Sequence, residues 1–241
     1  MTIRSQLCAQ AAFLVLGGCA ALPTLAADAV TDAMQAAYGP YRVALFKTNS
    51  NSQAEAQLAM TQAQQTWGQL VNKFGSKPPA PYDRDAAFAT SLAEVSKVYA
   101  KANEQVAANQ LSAAHDTLEA ARDIMAQLRQ RNQVIVYSDH MNAYHSEIEH
   151  VLIDGAKTLA QPNGLQLLTA QVGVLTYLSK KLGTEAPASY SSNPEFVELL
   201  KAVDKSVADL QAVLFAQNAV AVKEAMGKVK GPYSKLFLKF G

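Results

Sequence analysis

The residues best equipped for chemistry fall in one short stretch, SDHMNAYHSEIEHVL, at 138–152. It holds three of the chain's 4 histidines, with one methionine, one tyrosine and two glutamates. Its spacing is helical. At about 100° per residue, Ile148 and Leu152 fall within about 20° of Met141, and His145 about 40° away. Tyr144 borders this stripe on one side and Glu149 on the other. Glu147 and His150 make an E-x-x-H, the spacing that di-iron carboxylate bundles use twice and inward. Here it occurs once and on the outer face.

The preceding helical stretch supplies a matching face: Leu111, His115, Leu118, Arg122, Met125 and Leu128. If the two stretches form an antiparallel hairpin, Met125 lies opposite Met141 and Arg122 opposite His145, with His115 one or two turns deeper. Two donor sets follow. Met125, Met141 and His145 offer two thioethers and an imidazole, a set for a soft ion, Cu(I) most naturally. His115, Glu119, His145 and Glu149 offer nitrogen and oxygen, a set for zinc or iron. Arg122 is a fixed cation that repels a metal unless Glu119 or Glu149 neutralises it. The same residues also admit a purely structural role. Methionine at helical spacing fills cores, and Arg122, Glu149 and His145 can form a buried ion cluster that fixes register.

The remaining composition excludes much. Cys8 and Cys19 are the chain's 2 cysteines, and both lie in an N-terminal segment that reads as an export signal over 1–26. Arg4 is its sole charge, an apolar run over 11–22 is too short to span a bilayer, and Pro23 precedes small residues suited to cleavage. A mature chain would then carry no thiol, which leaves out disulfides, thiolate metal sites and a cysteine nucleophile. The expected location is the periplasm. A lipoprotein anchored at Cys19 is the alternative, because Leu16, Gly17, Gly18 and Cys19 resemble a lipobox. Without Arg4 the 21 basic residues fall to a number equal to the 20 acidic ones. With no basic excess, nucleic acid is not an expected partner. No later apolar run is long enough for a membrane span. A partner, where there is one, would be a periplasmic or membrane-associated protein. There is no Gly-rich phosphate loop, no G-x-S-x-G and no acid–base carboxylate pair, so an enzyme is not expected.

The whole mature chain has helical periodicity, which predicts an all-α fold of up-down helical hairpins. Eight helices are expected, at about 31–48, 52–74, 85–107, 112–131, 138–159, 165–183, 194–216 and from 219 on, the last bent at Gly231 and Pro232. Ser138 is the expected N-cap of the fifth helix, and Pro194 suits a first helical position. Val134, Ile135 and Val136 are read as a connection. The stretch 67–75, WGQLVNKFG, aligns with 233–241, YSKLFLKFG, an internal repeat of a hairpin unit. Four hairpins make either two four-helix bundles, over 27–132 and 133–241, or one elongated array. The basic and aromatic tail over 228–240 suits bundle packing, with a membrane surface as the other option.

Residues 31–131, two hairpins joined by a Pro78-Pro79 loop, resemble the periplasmic cytochrome b-type and c′-type four-helix bundles. That resemblance implies a bundle fold, and Met34 stands where such proteins place a first haem ligand. The far end of the fourth helix, residues 125–131, has no histidine, and there is no CxxCH. Haem is therefore not expected. The chain is also similar in pattern to the imelysin-like periplasmic iron proteins, although Ile148 follows His145 where their GxHxxE motif has glutamate. Together these observations predict an exported helical protein that binds a transition-metal ion, copper before zinc or iron, as a carrier or buffer. A metal-free interaction protein and a cytochrome-like protein with atypical haem ligands are the alternatives.

Overall fold

A computed structural model describes residues 28–50 and 52–241. The predicted export signal and the Cys19 lipobox lie outside the described residues. Among these the chain is all-helical with no strand: α1 Ala29–Thr48, α2 Gln53–Phe74, a 3-10 turn Tyr82–Arg84, α3 Phe88–Ala107, α4 Leu111–Arg131, α5 Tyr137–Leu159, α6 Gly164–Thr184, α7 Ala188–Ser191, α8 Pro194–Phe215, α9 Ala219–Met226 and α10 Lys230–Phe240. No described helix is long and apolar enough to cross a membrane.

Two hydrophobic cores form. In the first, α1 lies against α2 and α4, and α3 against α2 and α4. Its buried stripes include Met34, Tyr41, Trp67, Tyr99, Leu118 and Met125. In the second, α6 lies between α5 and α8, while α9 and α10 pack on α8 and return to α5. Met141, Ile148, Leu175, Val207 and Leu236 are buried there. A Cβ at Gly155 would stand 2.7 Å from Met226 Sδ, so this glycine lets α5 and α9 approach closely. The aligned stretches of the internal repeat play similar parts. Trp67 Nε1 donates to Leu92 O at 3.2 Å, and Tyr233 OH donates to Met141 O at 3.0 Å, each across to a neighbouring helix.

Local chemistry explains where the expected boundaries moved. The helix expected to bend at Gly231 and Pro232 is instead broken upstream, between Met226 and Lys230. Pro232 then falls in the first turn of α10, where a missing N–H leaves no carbonyl unpaired. The residues 184–192 contain the short α7. Ser138 is not the cap of α5. The helix starts at Tyr137, and Asp139 Oδ2 accepts from the Val136 N–H at 3.0 Å. Three helix-to-helix turns use a left-handed residue other than glycine: Asn109, Gln133 and Gln217, with φ of 56°, 57° and 53°. Each is followed by an N–H that bonds back to the helix it ends, as Val134 N–H does to Arg129 O at 3.0 Å.

α4 and α5 do not pack along their lengths, contrary to the expected hairpin. They run past each other in antiparallel register, tied by long polar side chains. Arg129 is 2% exposed. Its Nε donates to Asp139 Oδ2 at 3.1 Å and its Nη2 to Asp139 Oδ1. Asp139 therefore caps α5 and neutralises the buried guanidinium at once. The two substitutions that break this pair should differ sharply. Asp139→Asn leaves a buried cation without its anion and should cost about 3 kcal/mol or more, whereas Arg129→Met leaves Asp139, which reaches solvent in part, still capping, and should cost less. Urea unfolding of the two variants measures the difference.

Candidate functional site

Four helices meet at a small cavity on the boundary between the two cores. α1 contributes Leu45 and Phe46, α4 contributes His115, Glu119 and Arg122, α5 contributes His145, and α10 contributes Lys230, Tyr233 and Phe237. The cavity volume is about 60 Å³, room for an ion with a water or two.

The polar groups sit there because each is one step off an apolar stripe. On α4 the buried stripe is Leu111, Ala114, Leu118, Ala121 and Met125, and His115, Glu119 and Arg122 flank it. On α5 the stripe is Met141, Tyr144, Ile148 and Val151, with His145 and Glu149 beside it. The flanks of the two helices face each other across the boundary, and the stripes face away from it.

The geometry forms a chain of alternating groups. His145 Nε2 is 3.4 Å from Glu119 Oε1 and 3.8 Å from Glu149 Oε1. His115 Nε2 is 3.8 Å from the same Glu119 oxygen. Arg122 Nη1 lies 3.6 Å from Glu119 Oε1, and Lys230 Nζ donates to Glu149 Oε1 at 2.9 Å. The His115 tautomer follows from its partners. Nδ1 lies 2.9 Å from the Leu45 carbonyl, which can only accept, so Nδ1 carries the proton. Nε2 lies 3.1 Å from the Asn49 amide nitrogen. His145 Nε2 is buried and has no aligned hydrogen-bond partner. The His145 ring lies against Tyr233, with centroids 5.6 Å apart.

Charge and burial set the protonation states. The His145 imidazole holds the Glu119 carboxyl far below the usual carboxylate range, at about 2. Burial opposes this, and Arg122 and His115 reinforce it. Arg122 remains a firm cation: burial works against its charge, but Tyr41, Glu119 and Asp123 more than offset it. Burial pushes the Tyr233 hydroxyl well up, so it stays neutral.

Of the residues singled out in the sequence, His115, Glu119, His145 and Glu149 are brought together. Met125 and Met141 are not. Met125 is fully buried in the first core and Met141 in the second, and neither lines the cavity. Met34 lies in the first core as well. His150 and Glu147 pair at 3.6 Å, and the His150 side chain is exposed. Sequence reasoning missed Lys230 and Asn49. Lys230 had one signal, its place in the basic tail, and nothing local tied it to Glu149, 81 positions earlier. As they stand, no three His, Cys, Asp or Glu side chains among the described residues are set to hold a metal ion.

Comparison with protein-family models, with curated proteins and with solved structures finds no match.

A pH dependence follows from Glu119. Its folded-state pKa lies below the ordinary value of 4.5, so the ionised carboxylate stabilises the fold above that value. The contribution is lost as pH falls toward about 2. Glu119→Gln should therefore lower Tm by about 4 °C at pH 6, on the order of 1–2 kcal/mol after allowance for partial exposure. The gap to the parent should close as pH falls from 4.5 toward 2. Melting curves across that range provide the check.

Proposed function

We propose that this protein is an exported metal carrier or buffer, each half a four-helix bundle, with a transition-metal site between the halves. The ligands are His115, Glu119 and His145, with Glu149 as a fourth. One observation carries the reading: the spacing of the donor atoms around Glu119. A tetrahedral zinc ion with bonds of about 2.0–2.1 Å separates its ligand atoms by about 3.4 Å. Glu119 Oε1 stands 3.4 Å from His145 Nε2 and 3.8 Å from His115 Nε2. The Nδ1–H of His115 bonded to a backbone carbonyl is the outer-shell arrangement that orients a metal-binding imidazole.

Nitrogen and oxygen donors favour zinc or iron(II) over Cu(I). With Met125 and Met141 in different cores, the thioether set that favoured copper has no support from the fold. The site holds no paired acid and base beside a substrate-sized cavity, so transport or buffering fits it better than catalysis.

A second reading has an observation of its own. Both carboxylates already have a cation, Arg122 at Glu119 and Lys230 at Glu149. On that reading the cluster is an electrostatic clasp between the halves, and the protein is a metal-free interaction module. Calorimetric titration of metal-free protein with Zn(II) and with Cu(I) separates the two. Zinc should bind with a Kd below about 1 μM, more tightly than Cu(I). His115→Ala and His145→Ala should each weaken zinc by about tenfold or more while circular dichroism stays helical. Absence of zinc binding tighter than micromolar would leave the clasp.

A further inference from the structure

We propose that Lys230 is the resident counter-ion of this site: its ammonium holds the place at Glu149 that a metal ion must take. This rests on the metal-binding reading above and names what regulates entry. The Glu149 oxygen that lies 3.8 Å from His145 Nε2 is the one that accepts from Lys230 Nζ, at 2.9 Å. A carboxylate oxygen drawn onto an ammonium is drawn away from an ion beside the imidazole. This explains why four donors form one chain of contacts and yet no three of them are set around a single point.

The two cations of the cluster are not equivalent. The Arg122 side chain is 13% exposed, with its guanidinium between Glu119 and Asp123. Its departure would leave Glu119, a partly buried carboxylate, without its guanidinium. The Lys230 side chain is 42% exposed. It is the first residue of α10, and its flexible stem can carry the ammonium to water at little cost. Arg122 is thus a fixed charge that the site tolerates through Glu119, and Lys230 is the movable one. Without a metal each carboxylate of the cluster already has a cation, Arg122 at Glu119 and Lys230 at Glu149. A divalent ion that displaced no cation would add its full charge to a half-buried site. Expulsion of the Lys230 ammonium to solvent removes part of that excess. Lys230 therefore acts as a specificity-determining residue: it admits an ion that competes for carboxylate with an ammonium, and turns away weaker ones.

The test uses the full chain and zinc alone. Zinc is titrated into the parent, Lys230→Met and Glu149→Gln, with the Lys230 side-chain nitrogen followed by NMR. Lys230→Met should bind zinc about tenfold more tightly or better, and Glu149→Gln more weakly than the parent. In the parent, the Lys230 ammonium signal should move to that of a free lysine as zinc is added. Equal affinity of the parent and Lys230→Met, with both binding, would overturn the counter-ion role and leave the metal site standing. Zinc binding to Lys230→Met alone would support the role at its strongest. Failure of both proteins to bind would overturn the metal reading and this inference together.

Discussion

A guanidinium cannot sit inside a protein without an anion, and the arrangement of this chain follows from how Arg129 meets that requirement. Arg129 lies in the last turn of α4 and is buried there beside Leu128. Its anion is Asp139, whose carboxylate also takes the Val136 N–H at the start of α5. One side chain therefore ends the first half and begins the second. It fixes the direction in which α5 leaves and the register at which it passes α4. Farther along the same two helices, Glu119 and His145 come within 3.4 Å. Tyr38 OH, donating to Asn142 Oδ1 at 3.1 Å, adds a third tie of the same kind from α1. The boundary between the cores is thus stitched mainly by polar groups. Phe237, which packs against both cores and lies edge-on to Tyr38, is an apolar wedge in it.

That polarity is what permits titratable groups to gather there. An isolated carboxylate in either core would be neutralised by desolvation. At the boundary, Glu119 is held ionised by His145, Arg122 and His115, and is still mostly shielded from water. Low exposure strengthens each attraction, and carboxylates alternate with basic groups along Lys230, Glu149, His145, Glu119 and Arg122. The arrangement is self-consistent without any guest. In the proposed reading, a guest is a cation that replaces one already present.

The helices were legible because the apolar period of 3.6 runs through nearly every one of them, and stripes such as Leu168, Val172, Leu175 and Leu182 can be buried in only one way. The antiparallel register of α4 and α5 was legible too: Arg122 and His145 do line one cavity. What periodicity could not supply was the partner of each stripe. Met125 and Met141 are central to strong apolar faces, and each face is buried in the core of its own half. The two helices therefore stand back to back, and only their polar flanks meet. A wheel drawn on one helix gives a face and does not give its neighbour. Lys230 was illegible for a different reason. Its role depends on where α9 stops and α10 begins, and that is set by Pro232 needing a first-turn position.

The same back-to-back geometry decides the chemistry the boundary can offer. Residues at the centre of a stripe are bulky and apolar, so sulfur donors, which pack as core residues do, are taken into the cores. Residues at the flank are those that keep one edge near water, and in this chain they are His115, Glu119, His145 and Glu149. A site built between two cores is for that reason one of nitrogen and oxygen, whatever the nearby methionines suggest. It also inherits cations, because flank positions recruit lysine and arginine to neutralise those carboxylates. In the proposed reading, affinity is then set by a difference between two ionic states of the same cluster, one closed by an ammonium and one by a metal, and not by the ligands alone.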